Sequence, residues 1–227
     1  MNGILASEWL KLRTLRSSWF VFAAVAGTAA AGVLLAWAWG NTWDGMSAES
    51  RSRLTDGSIE EITAPLLQLC VAVLGVLAIT GEYASGQIRT SLTVAPRRLA
   101  VLGSKAAVTA VIALLAGLLV TFATYLAAHS MLADRGFPGY QASFADELPG
   151  LVHSGVVVMV IALVGLGLGT VFRSTAGALS TVAALLFILP IFARFLPAPW
   201  NDRIGSVLLP NVTNPAVSAA YVVVALG

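Results

Sequence analysis

The chain has 227 residues, 58% of them hydrophobic and 11% charged, with a net charge of +2 and a mean hydropathy of +0.86. A soluble domain carries about 25% charged residues, so these values exclude an ordinary water-soluble globular domain, and so small a net charge gives no basis for nucleic-acid binding. The single cysteine, Cys70, excludes an internal disulfide and reads as packing; no Cys/His cluster points to a metal.

In chain order, residues 1–18 come first, with Ile4, Leu5, Trp9, Leu12 and Leu15 at helical spacing and Lys11, Arg13 and Arg16 adding charge. This predicts an amphipathic helix lying at the membrane surface, with Trp9 as an interfacial anchor. A first span follows over about 19–39. Its apolar run exceeds the roughly 7–15 residues of a signal peptide and more spans follow, so it reads as a retained helix. Ala23, Gly27 and Ala31 lie four apart, a ridge that predicts close helix packing.

Residues 40–63 read as a polar loop with Asp44, Glu49, Asp56, Glu60 and Glu61 against Arg51 and Arg53. Further spans are predicted over about 64–81, 106–128, 150–172 and 175–193. Residues 82–105 lie between the second and third, and Arg173-Ser174 joins the fourth to the fifth. Residues 194–212 hold Pro197, Pro199 and Pro210, and a last apolar run covers 215–227. Thirteen residues rise only about 20 Å as a helix against a core of about 30 Å. That run fits an incomplete, a re-entrant or a cut-off helix.

Lysine and arginine placement sets the topology. The N-terminal segment has three, residues 82–105 have four, and Arg173 marks a third connection on that side; the alternate loops hold two, one and two. The N-terminus is therefore expected to be cytoplasmic. The predicted spans two to five contain no Asp, Glu, Lys or Arg, which argues against an ion-coupled pump. His129 and His153 read as interfacial residues rather than a metal or proton site. Gly103-Ser104-Lys105 lacks the order of a phosphate loop, and Gly165, Gly167 and Gly169 read as close helix packing rather than a nucleotide fingerprint. Neither a nucleophile motif nor a zinc-protease motif is present. Any energy must come from a partner acting on residues 82–105.

From Gly81 the sequence reads GEYASGQIRTSLTVAPRRLAVLGSK. Glu82, Ile88, Arg89 and Leu92 suggest a short amphipathic helix ended near Pro96. The run Glu82-Tyr83-x-x-Gly86-x-Ile88-Arg89-Thr90-x-Leu92, followed by Pro96-x-Arg98, resembles the signature of ABC-2 type transporter permeases, closest to the bacterial bacitracin- and lantibiotic-resistance group. The opening Glu8-Trp9-x-Lys11-x-Arg13-x-x-Arg16-Ser17 resembles that family's start.

The resemblance implies an all-α membrane fold of the type V exporter kind: six helices, an N-terminal interfacial helix (Trp9, Lys11, Arg13, Arg16) and a cytoplasmic coupling segment over 82–105. Glu82, Tyr83, Gly86, Ile88, Arg89, Thr90 and Leu92 would meet the ATPase. It implies a permease subunit in the bacterial cytoplasmic membrane, a second permease copy or paralogue, and a separate P-loop ATPase that binds ATP and Mg; this chain would hold no cofactor and catalyse nothing. The expected cargo is amphipathic or lipid-like, because the spans offer few polar groups. The alternatives are a non-transporting scaffold or antibiotic-immunity protein and, less favoured for want of paired catalytic groups, an intramembrane enzyme. The plainer alternative to coupling is that Arg89, Arg97 and Arg98 only set topology and touch lipid phosphates.

Overall fold

The computed structural model describes residues 16–52, 58–86, 98–137, 139–197 and 200, the side chains of 16–18, 48, 52, 98–101 and 194 excepted. The expected interfacial helix and the final apolar run lie outside them. The described residues form helices α1 (Arg16–Gly45), α2 (Ala48–Ser52), α3 (Ile59–Ser85), α4 (Arg98–Leu132), α5 (Phe144–Phe172), α6 (Thr175–Ala183) and α7 (Leu189–Arg194), with a 3-10 turn at Ala133–Arg135 and a π-helical turn at Ala184–Ile188. Five stretches are long and apolar enough to cross a bilayer: Trp19–Gly45, Ile59–Ser85, Leu102–Arg135, Phe144–Phe172 and Thr175–Ala193.

The helices outrun the apolar segments that announce them. Helix α1 continues to Gly45 and α3 begins at Ile59, so the polar loop shrinks to the stretch around α2. Ser58 supplies the reason at the start of α3: its side chain accepts from the Glu61 N–H, and Glu60 and Glu61 sit in the first turn, where the helix dipole favours acid. The extension also carries charge inward. Glu60, Glu82 and Lys105, which lie just outside the predicted spans, are all buried.

Helix α5 is the centre of the bundle: 67% of its most apolar stretch is buried, against 28% for α1 and 22% for Thr175–Ala193. It packs most extensively on α3, then on α4. The α3–α5 crossing is close because both helices are thin there. A Cβ on Gly165 would lie 2.7 Å from the Ala72 carbonyl oxygen, and one on Gly75 would collide with the Ala162 carbonyl. Lipid gives no hydrophobic drive between helices, so backbone approach of this kind is what holds them. Gly165 and Gly169 thus have the packing role their sequence suggested. On α1, no described residue lies within 4 Å of a Cβ placed on Gly27 of the Ala23–Gly27–Ala31 ridge, and the close approach to α4 is made by Gly32, against Thr124.

The spans alternate in direction, so α1, α3, α4 and α5 share one end near Trp43. An aromatic cap closes it. Trp43 donates from Nε1 to the Arg135 carbonyl at 2.8 Å, its ring lies 4.8 Å from that of Phe137, and Arg51 stands over it at 5.2 Å. The Arg135–Asp44 pair at 2.8 Å is exposed and contributes little. Tyr140, 1% exposed, is the fastener: its hydroxyl accepts from the Ile59 N–H at 2.9 Å and donates to Glu60 at 2.9 Å. Burial, and then the nearby Glu60 charge, push the Tyr140 phenol well above its ordinary range, so it stays a neutral donor. Tyr140→Phe takes the acceptor from the buried Ile59 N–H and one of several donors from the Glu60 carboxylate, and thermal unfolding in detergent should show a loss of about 1–3 kcal/mol.

Candidate functional site: the Glu82 end of the bundle

At the opposite end, four spans meet around the last turn of α3. Gly86 ends that helix in the left-handed region, φ 70°, with its N–H bonded to the Tyr83 carbonyl at 3.3 Å. Among the described residues nothing lies within 4 Å of a Cβ placed there; the left-handed backbone is by itself a reason for glycine at this turn. Because the helix runs through Ser85 and stops at Gly86, Glu82 and Tyr83 belong to the second span. The expected short helix carrying Glu82 together with Ile88 and Leu92 is corrected accordingly: the turn at Gly86 separates Glu82 from that segment.

Glu82 faces inward. Its Oε1 accepts from Lys105 Nζ at 2.9 Å, and the two side chains are 7% and 3% exposed. Lys105 lies two turns into α4. The pair therefore joins the two stems from which residues 87–97 emerge. A carboxylate at a helix C-terminus opposes the dipole, and the lysine offsets both that and the cost of burial.

Next to it, Arg173 stands over the Tyr83 ring at 5.8 Å. Arg173 closes α5 in a left-handed conformation, φ 50°, and is the described non-glycine residue with positive φ. Such a backbone costs on the order of 1 kcal/mol. Ser174 then caps α6 by accepting from the Gly177 N–H at 3.4 Å. One residue on, Thr175 Oγ1 donates to Thr80 Oγ1 at 2.9 Å, and Thr80 donates to the Val76 carbonyl at 3.0 Å. The two-residue connection between α5 and α6 is thus fixed to α3 at two points.

Of the residues singled out in the sequence, Glu82, Tyr83 and Gly86 come together here. Ile88, Arg89, Thr90, Leu92, Trp9, Lys11 and Arg13 lie outside the described residues, and Arg16 opens α1. Sequence reasoning missed Lys105, Arg173, Thr80 and Thr175 as members of the cluster. One signal was present: Glu82 is the lone acid among the four cations of 82–105. Nothing in the spacing says which cation it takes. At the other end, His129 stacks on Tyr125 with ring centroids 5.5 Å apart. Among the described residues no three His, Cys, Asp or Glu converge as metal ligands would. Cys70 is partly buried against the α1–α3–α4–α5 core.

The chemistry of this site is fastening: a charge pair, a cation over a ring and a hydroxyl pair bind the ends of α3, α4, α5 and α6. These features define a multi-pass helical membrane protein whose described polar contacts gather at the two ends of the bundle. The chain belongs to the ABC-2 family of transporter proteins, whose family model, described as ABC-2 family transporter protein, matches residues 4–195. No curated protein and no solved structure matches it. Members of this family are membrane subunits of transporters rather than catalysts, and typically work with an ATPase subunit.

Proposed function

We propose that the chain is the permease subunit of an ATP-driven exporter in a bacterial cytoplasmic membrane, with the Glu82 end facing the cytoplasm. Family membership over residues 4–195 carries this reading. The basic segments, which place residues 82–105 and Arg173 on one side, support the orientation. A separate P-loop ATPase hydrolyses ATP and presses on residues 82–98, and a second permease copy or paralogue completes the membrane part. Residues 215–227 contribute to a sixth span. The cargo is amphipathic or lipid-like, in keeping with the bacitracin- and lantibiotic-resistance group that the motif resembles.

Buried Glu82 and Lys105 give the segment a firm base. Both stems are held at one point, so a push on the intervening residues moves α3 and α4 together rather than bending one of them. The experiment is co-purification with candidate ATPase subunits in lipid nanodiscs. Arg89→Ala should leave a folded chain while reducing permease-dependent ATP hydrolysis about tenfold, in line with the loss of a charged contact at an interface. Absence of any ATPase partner would favour a membrane scaffold instead. Stimulation only by polar solutes would overturn the cargo assignment.

A further inference from the structure

The contacts at Thr80 and Tyr83 tie the second span to the fifth, and this has a mechanical consequence. We propose that Thr175 and Arg173 are positioning residues that make the N-terminal half of the fifth span move as one body with the end of α3, so that displacement at residues 82–86 is delivered to Thr175–Ala183. The proposal rests on the exporter reading above. Two independent contacts carry it, and both cross from one span to another. The Thr175 hydroxyl donates to Thr80 at 2.9 Å, and the Arg173 guanidinium lies 5.8 Å from the Tyr83 ring centre.

The surroundings favour a rigid joint. Thr80 is 2% exposed and is itself held by the Val76 carbonyl at 3.0 Å. Ala178, Val182 and Leu186, on the following turns, are buried against a core that includes Ala72 and Val76 of α3. Arg173 holds a backbone conformation that arginine rarely adopts, which keeps the α5–α6 connection to two residues and leaves no slack between Tyr83 and Thr175. The joint has a definite end. Helical bonding changes register over Ala184–Ile188, Pro190 follows at the start of α7, and Phe187, Ile188, Ile191 and Phe192 are all exposed. A π turn followed by a residue without an N–H separates a held half from an outer half.

The test locks the joint. In a chain whose natural cysteine is replaced, Cys70→Ala, the pair Thr80→Cys and Thr175→Cys is oxidised to a disulfide in the assembled complex with its ATPase. If the two spans move together, the cross-linked complex keeps ATP hydrolysis and transport within about twofold of the Cys70→Ala parent complex, which retains both threonines. If transport stops on oxidation and returns on reduction, the spans slide past one another at this point and the proposal fails. Thr175→Val is the complementary variant. It removes the donor and keeps the shape, and transport per ATP hydrolysed should fall about fivefold, with Thr175→Ser restoring it. A Thr175→Val complex with unchanged transport per ATP also overturns the link. A Cys70→Ala parent that folds but finds no ATPase that responds to it would sink the exporter reading, and the link with it, whereas a responsive parent with an inactive cross-linked form sinks the link alone.

Discussion

Lys105→Met is expected to destabilise the chain by about 3–5 kcal/mol, because it takes from the buried Glu82 carboxylate the cation 2.9 Å away. Scanning unfolding in nanodiscs should register a fall on the order of 10 °C. Glu82→Gln removes the negative charge that faces the buried Lys105 ammonium, so it is destabilising too, eased only by an amide oxygen that can still accept from Nζ. The informative variant is the double one, Glu82→Gln with Lys105→Met. With both charges gone and the volumes nearly kept, most of the loss should return, because a buried ion pair stabilises little beyond its own desolvation cost. If the double variant lost as much as the two single variants together, the changes would be additive and the pair would not be the reason for the loss. The double variant also separates stability from coupling. A folded double variant with weakened ATPase response would show that the charge pair serves motion as well as folding.

The spans were legible because lipid imposes a coarse and strong rule: each backbone group must be satisfied inside its own helix, and about 20 apolar residues are needed to cross. What lay at the ends was less legible. Helix α3 runs Ile59–Ser85 where the apolar run covers only 64–81, since a capped helix continues into the interface as long as its charges have partners. Those partners come from distant sequence. Tyr140 meets Glu60 across 80 residues and Lys105 meets Glu82 across 23, and hydropathy carries no information about such pairs. Lys105 read as one more topology charge, although its exposure of 4% makes it part of the interior. Arg173 read as a short connection, although its backbone geometry and its place over Tyr83 make it part of the joint. Gly86 was the reverse case: a glycine after a run of helix formers signals a left-handed stop, and that signal outweighed the amphipathic pattern drawn through it from Glu82 to Leu92.

The same limit explains why small residues on α1 and α5 look alike in the sequence but differ in their described contacts, and one pair of substitutions makes the difference measurable. Gly75→Ala is expected to lose stability near the upper end of the roughly 1–3 kcal/mol that overpacking costs. The added methyl would strike the Ala162 carbonyl, and a backbone atom of the central helix cannot turn aside as a side chain could. Gly27→Ala, by contrast, meets no described residue within 4 Å on α1. It should be neutral or stabilising by about 0.5–1 kcal/mol through helix propensity alone. Both glycines sit inside apolar helices among alanines, valines and leucines, so the letter pattern gives them the same standing. Only the partner across the contact distinguishes them. Unfolding of the two single variants in the same lipid mixture checks this directly. Opposite signs would place the tight crossing of the bundle between α3 and α5. A loss at Gly27 equal to that at Gly75 would mean that α1 is packed as closely as the centre, and that 28% burial understates its contacts.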